Sequence, residues 1–169
     1  MADPLVLLPD FMTGARLFAP QVAALGRDRP VTVGPLTPGE SVETVAAALL
    51  PLLPRHFALA GAGLGGAVAL DILSRAPDRV QRLALIAATP LAETADHAAA
   101  RETRIVAARA GRLTEVLAED HATIDAGLSA CRADMATALG PKAFVRQTRM
   151  LQRRPDQQAG LRRIRQPTL

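Results

Sequence analysis

The stretch LAGAGLGGAVALDILSRAPDRVQRLALI, residues 59–86, decides the fold. It continues from His56-Phe57-Ala58-Leu59-Ala60, a short run apolar on both faces, as a strand buried inside a parallel sheet must be. Gly61-Ala62-Gly63-Leu64-Gly65-Gly66 is a tight glycine turn. Ala67 to Ala76 reads as an apolar helix, stopped by Pro77, which has no N–H to give to a helical ladder. Val80 to Ala87 reads as the next strand. Strand, turn, helix and strand make one βαβ unit, whose crossover is expected to be right-handed.

Toward the N-terminus the alternation repeats. Leu5-Val6-Leu7-Leu8, ended by Pro9-Asp10, reads as a buried parallel strand. Leu17, Phe18, Val22 and Leu25 recur at helical spacing within Arg16–Leu25. Arg29 to Pro35 reads as a second short strand running into a turn. Ser41 is a good N-cap for a helix whose stripe is Val42, Val45, Ala46, Leu49, Leu50 and Leu53, ended by Pro54. Toward the C-terminus the pattern changes. From Leu91 to Gly140 the chain is Ala-, Arg- and Glu-rich and helical, with Gly111, Gly127 and Gly140-Pro141 expected to divide it into three or four helices. Lys142 to Gly160 reads as one more basic helix, and Pro167-Thr168-Leu169 as the first residues of a fifth strand. The fold class is therefore α/β, a mostly parallel sheet flanked by helices in three layers, with an inserted helical cap. The expected division is a core of residues 1–90 and 141–169, with the cap at 91–140.

Composition narrows the function. The 169 residues have room for one domain and a fraction, and at 49% hydrophobic they can bury a core. Aromatic residues are 2%, with no Trp and no Tyr, which argues against stacking platforms for single-stranded nucleic acid. The single cysteine, Cys131, can form neither an internal disulfide nor a multi-thiolate metal site, so a reducing, cytoplasmic setting is the default. Met1 to Leu8, without a basic start and with an apolar run of four residues, reads as neither a signal peptide nor a membrane span. The net charge is +4, and eight basic residues against Asp156 concentrate +7 in residues 140–169. No nucleic-acid motif accompanies that charge, so it is read as solvated helix faces. No metal, cofactor, nucleic-acid or membrane partner is expected; a small-molecule ligand is.

The glycine turn has two readings. Gly61-x-Gly63-x-x-Gly66 between strand and helix matches the dinucleotide fingerprint, but no acidic residue ends the next strand to hold a ribose. The second reading uses the whole chain. Residues 59–86 resemble the nucleophile-elbow region of the α/β-hydrolase family, G-x-S-x-G-G followed by a small-residue helix and a Pro-Asp-Arg-Val turn. PLVLLPDFMTGARLFAPQVAAL, from Pro4 onward, is similar to that family's first strand, oxyanion loop and helix. Ile164 to Leu169 is similar to the segment leading into the strand that carries the catalytic acid. The resemblance implies an ancestral hydrolysis of a small ester-like substrate under the cap. It also implies that the backbone N–H groups of Phe11 and Leu64 form an oxyanion hole.

At the position where the resemblance puts the nucleophilic Ser, the chain has Gly63, which has no Oγ to attack a carbonyl. The three serines, Ser41, Ser74 and Ser129, fall in a cap position, a helix and the cap block. In the family's order the acid follows the strand beginning at Thr168 and the His comes later still, so the chain is expected to be C-terminally incomplete. His56 sits at the wrong end of its strand, and His97 and His121 lie in the cap. Asp10 is read as a turn residue and Cys131 as an incidental thiol. The expectation is a degenerate active site without ester turnover, and a sheet edge uncovered enough to favour self-association.

Overall fold

A computed structural model of the chain describes residues 2–121 and 126–169. Four parallel strands, β1 (Leu5–Leu8), β2 (Val31–Val33), β3 (Phe57–Ala62) and β4 (Val80–Ile86), lie in the order β2-β1-β3-β4. β1 and β3 occupy the centre, which is why both are buried along their whole length. Alternate residues of these strands feed two cores. Val6, Leu8, Phe57 and Leu59 pack against α2 (Val42–Leu49) and α3 (Leu64–Arg75). Leu5, Leu7, Ala58, Ala60 and Ala62 face Phe18, Leu17 and Val22, from a short 3-10 turn (Ala15–Phe18) and α1 (Ala19–Leu25). Two apolar faces covered by helices give the three-layer architecture expected of the alternating pattern.

Ser41 caps α2 as its position implied. Its Oγ accepts the Thr44 N–H at 3.2 Å from an extended backbone (φ −140°). Ser41→Ala is expected to lower stability by about 1 kcal/mol, read as a shift in the urea midpoint at constant slope.

The sheet's β4 edge is paired at its centre. Leu83 and Thr168 form a parallel bridge, Leu83 N–H donates to Pro167 O, and Leu85 N–H donates to Leu169 O at 2.9 Å. Residues 167–169 therefore lie in strand register, as their apolar, Pro-initiated pattern suggested.

After β4 come α4 (Ala95–Arg109), α5 (Leu113–His121), α6 (Ala126–Gln152) and the one-turn α7 (Gln158–Leu161). Met12, Ala108, Val116, Leu117, Ala136, Ala143 and Phe144 form a separate cluster, and Phe11 packs against both it and the main core. α5 ends at His121 and α6 begins at Ala126, one residue before Gly127. One expectation is corrected here. The basic helix beginning at Lys142 does not reach Gly160. It stops at Gln152, because Pro155 cannot continue a helical ladder and pushes the residue before it out of helical geometry. The break at Gly140-Pro141 is real but leaves one kinked rod, with Gly140 at φ 76°, ψ 179°.

Candidate active site

A cleft of about 330 Å³ opens where the strands end. Its floor is the segment after β1 (Asp10, Phe11, Met12), the turn after β3 (Gly63, Leu64) and the segment after β4 (Ala87, Thr89). The crevice at the carboxyl ends of parallel strands is where this architecture places ligands, because the loops there are independent of the packed sheet. Arg101 and Arg104 of α4, Leu117 of α5 and Arg132 of α6 form the opposite wall.

The floor is strained. Met12, Gly63 and Ala87 have φ of 50°, 48° and 49°, in the left-handed region. For Met12 and Ala87 a side chain makes that conformation costly, by roughly 1–2 kcal/mol each. Neighbours hold it in place. Met12 N–H donates to the buried Gln147 Oε1 at 2.7 Å, across to α6, and Gly63 N–H donates to Ile86 O at 2.9 Å. Gly65 allows the close approach that the turn needs: a Cβ there would run into the backbone carbonyls of Leu8 and Pro9.

The structure brings Phe11, Gly63 and Leu64 together, and it adds a residue that sequence reasoning had read only as a turn former. Asp10 does turn the chain: its carbonyl accepts the Thr13 N–H at 3.1 Å and the Thr13 hydroxyl at 2.8 Å. Its carboxylate does more. Oδ1 accepts the Phe11 N–H at 2.7 Å and the Leu64 N–H at 3.1 Å, and Oδ2 accepts from the Arg132 guanidinium at 3.3 Å. The two main-chain donors thus converge on one oxygen, at the N-terminus of the 12-residue helix α3, where the helix dipole favours negative charge. The same carboxylate covers Gly63, and a Cβ added to Gly63 would overlap it.

The other candidates lie elsewhere. His56 is exposed at the N-terminal end of β3, with Nδ1 3.4 Å from Gln81 Nε2. His97 is exposed on α4, 3.5 Å from Glu93. His121 is the last residue of α5, and its side chain falls outside the described residues. Ser41 is engaged as a cap, and neither Ser74 nor Ser129 lines the cleft. Cys131 is half-buried, with Sγ 4.0 Å from the Arg16 guanidinium. Among the described residues no group of three His, Cys, Asp or Glu is placed to hold a metal ion, and no helix is long and apolar enough to cross a membrane.

Arg154, one of the basic residues of 140–169 expected on a solvated face, is instead 14% exposed, and with Arg101 and Arg132, 22% and 21% exposed, it lines the cleft. Arg101 and Arg154 converge on Glu93, at 2.5 and 3.3 Å, and Glu93 itself is only 3% exposed. Helical periodicity places these residues on a face; it does not say that the face looks onto a cleft.

The fold recurs in solved structures. A thermophilic esterase from Thermogutta terrifontis, solved with malate bound, superposes with a TM-score of 0.86 over 99% of this chain and 70% of its own, at 16% identity. An enol-lactonase from Burkholderia xenovorans LB400 gives 0.83 at 19% identity, covering 99% of this chain and 71% of its own. The chain has the α/β-hydrolase fold. A third structure with this α/β-hydrolase similarity, a hydrolase from Pseudomonas aeruginosa PA01, gives 0.82 at 21% identity over 99% and 70%. In sequence, 84 residues are 37% identical to a pimeloyl-[acyl-carrier protein] methyl ester esterase of Aromatoleum aromaticum. That match covers 50% of this chain and 31% of the esterase, so the chain spans about a third of the length of its curated relative. No family model matches the chain.

Proposed function

We propose that this chain is a non-hydrolytic variant of an ester-hydrolysing α/β-hydrolase, and that its cleft holds a small molecule without covalent chemistry. The observation that carries the reading is the Asp10 carboxylate seated on the Phe11 and Leu64 N–H groups directly above Gly63. In an ester hydrolase of this fold, the turn after the third of these strands is the nucleophile elbow, and two main-chain donors of this kind receive the oxyanion. Here Gly63 offers no side chain at that position, and the Asp10 carboxylate takes the donors. A tetrahedral intermediate would then have to displace a carboxylate already held by two N–H groups and a guanidinium.

The same carboxylate weighs against the dinucleotide reading of Gly61, Gly63 and Gly66. A pyrophosphate on the N-terminus of α3 would meet Asp10, and like charge at hydrogen-bond distance repels it.

The test is ester turnover. With p-nitrophenyl acetate and butyrate, the expected rate equals the buffer blank, and intact mass spectrometry is expected to show the unmodified chain. Turnover above the blank, or an acyl adduct on any residue, would refute the reading.

A further inference from the structure

The cleft floor has the opposite hydrogen-bonding polarity from an ester site. The Phe11 and Leu64 N–H groups, which would donate to a carbonyl oxygen, both donate to Asp10 Oδ1, at 2.7 and 3.1 Å. In their place the floor presents the Asp10 carboxylate, which accepts hydrogen bonds and donates none. A carboxylate has about four lone-pair positions. Among the described residues three are engaged: two on Oδ1 by those N–H groups, and one on Oδ2 by the Arg132 guanidinium at 3.3 Å. The remaining acceptor position is on Oδ2, and the Asp10 side chain, 29% exposed, lines the cleft. The donor beside it, Arg132, lines the same cleft. Leu64, Ala67, Leu117 and Leu151 add aliphatic surface.

The geometry points to a binding site for a neutral aliphatic alcohol, its hydroxyl donating to Asp10 Oδ2 and accepting from Arg132, its carbon body against that aliphatic surface. This rests on the non-hydrolytic reading and names the class of ligand for it. A hydroxyl suits an acceptor and a donor that lie 3.3 Å apart, because its one oxygen donates to the first and accepts from the second. A ketone or an ester can accept from Arg132, but it has no proton to donate, and its lone pairs would face those of Oδ2. A carboxylate ligand meets the same difficulty with a full charge added. An ammonium can donate to Oδ2, but the guanidinium already paired there repels it. The aliphatic lining distinguishes an alcohol from water, which has the same hydroxyl chemistry and no apolar surface to bury.

Amide-resolved NMR titration of the chain with cyclohexanol, cyclohexanone and cyclohexylammonium, rings of one size that differ in the polar group, tests the site. Cyclohexanol is expected to shift the Leu64 and Leu117 amides saturably. It is expected to bind at least about tenfold more tightly than cyclohexanone, the difference that one hydrogen bond to a charged group makes. Cyclohexylammonium is expected to be weaker than cyclohexanol. Asp10→Asn keeps an oxygen for the two N–H groups and replaces Oδ2 by an amide nitrogen that donates. In that variant the alcohol's advantage over the ketone is expected to shrink to about twofold or less, or to reverse. Arg109→Gln, an exposed position at the end of α4, is expected to leave the ranking unchanged. Cyclohexanone or cyclohexylammonium binding as tightly as cyclohexanol, no saturable shift with cyclohexanol, or an Asp10→Asn chain that keeps the full preference overturns the proposal. If Asp10→Asn does not fold, the ranking of the three rings on the parent chain decides. Cyclohexyl acetate added to the parent chain tells the two failures apart. Release of acetate faster than in buffer, followed by proton NMR, sinks the non-hydrolytic reading, whereas intact ester supports that reading whichever ring binds best.

Discussion

Gly63→Ser, made alone, is expected to destabilise the chain and to give no esterase. Two costs add. Gly63 lies at φ 48°, a conformation that a Cβ makes unfavourable by about 1–2 kcal/mol. The Ser side chain would also overlap the Asp10 carboxylate, and forced overpacking typically costs about 1–3 kcal/mol. Asp10 can escape only by giving up the Phe11 and Leu64 N–H groups. The overlap is removed when Asp10 is removed. Asp10→Gly combined with Gly63→Ser should therefore recover most of the second cost, giving a coupling of roughly 1–3 kcal/mol in a double-mutant cycle read by urea denaturation. Additive single effects would show that the two positions do not meet. The backbone turn at Asp10 should survive in the double variant, since Thr13 bonds to the carbonyl of residue 10 and not to its side chain. Positions 10 and 63 thus meet directly: the Asp10 carboxylate keeps its hold on the Phe11 and Leu64 N–H groups because Gly63 puts no side chain beneath it.

That coupling was half visible in the chain. Gly63 stood out because a strand-turn-helix motif left a place for Ser and none was there. Asp10 did not, because Asp is an ordinary turn residue and its contact with Leu64 spans 54 positions. The fold was legible for a local reason. The central strands are uniform apolar runs closed by Pro or Gly, and such runs have few alternatives to burial in a parallel sheet. Boundaries were harder where two tendencies compete. Gly65 and Gly66 look like turn residues, yet they lie in the first turn of α3, where close approach to β1 and β3 outweighs their poor helix propensity. β3 likewise runs on through Gly61 and Ala62, until the positive φ of Gly63 ends it. The cleft arginines were illegible for a different reason. A charged residue on an amphipathic helix is solvated or half-buried according to what the helix packs against, and α4 and α6 meet over residues far apart in sequence.

Glu93→Gln should produce the other large effect, on the wall of the cleft rather than its floor. The Glu93 carboxylate is 3% exposed and accepts from Arg101 at 2.5 Å and Arg154 at 3.3 Å. It therefore joins the start of α4 to the segment after α6, and Arg154 reinforces the tie by donating to Leu91 O at 2.8 Å. Replacing the charge by an amide leaves two partly buried guanidiniums with no counter-ion, the arrangement for which breaking a buried pair costs about 3–5 kcal/mol. For a chain of this size that corresponds to a fall in Tm of roughly 10 °C. The loss should be local before it is global: the parallel sheet draws nothing from Glu93, so limited proteolysis is expected to cut between residues 91 and 112 before it cuts β1 or β3. Glu93→Leu, which fills the space without offering an acceptor, should be no better, because the damage comes from the unpaired cations and not from the missing volume. If Arg101→Met is added to Glu93→Leu, one orphaned charge disappears and part of the stability should return. A Glu93→Gln chain melting within a degree or two of the parent would show that this ion cluster is solvated in practice and holds nothing together.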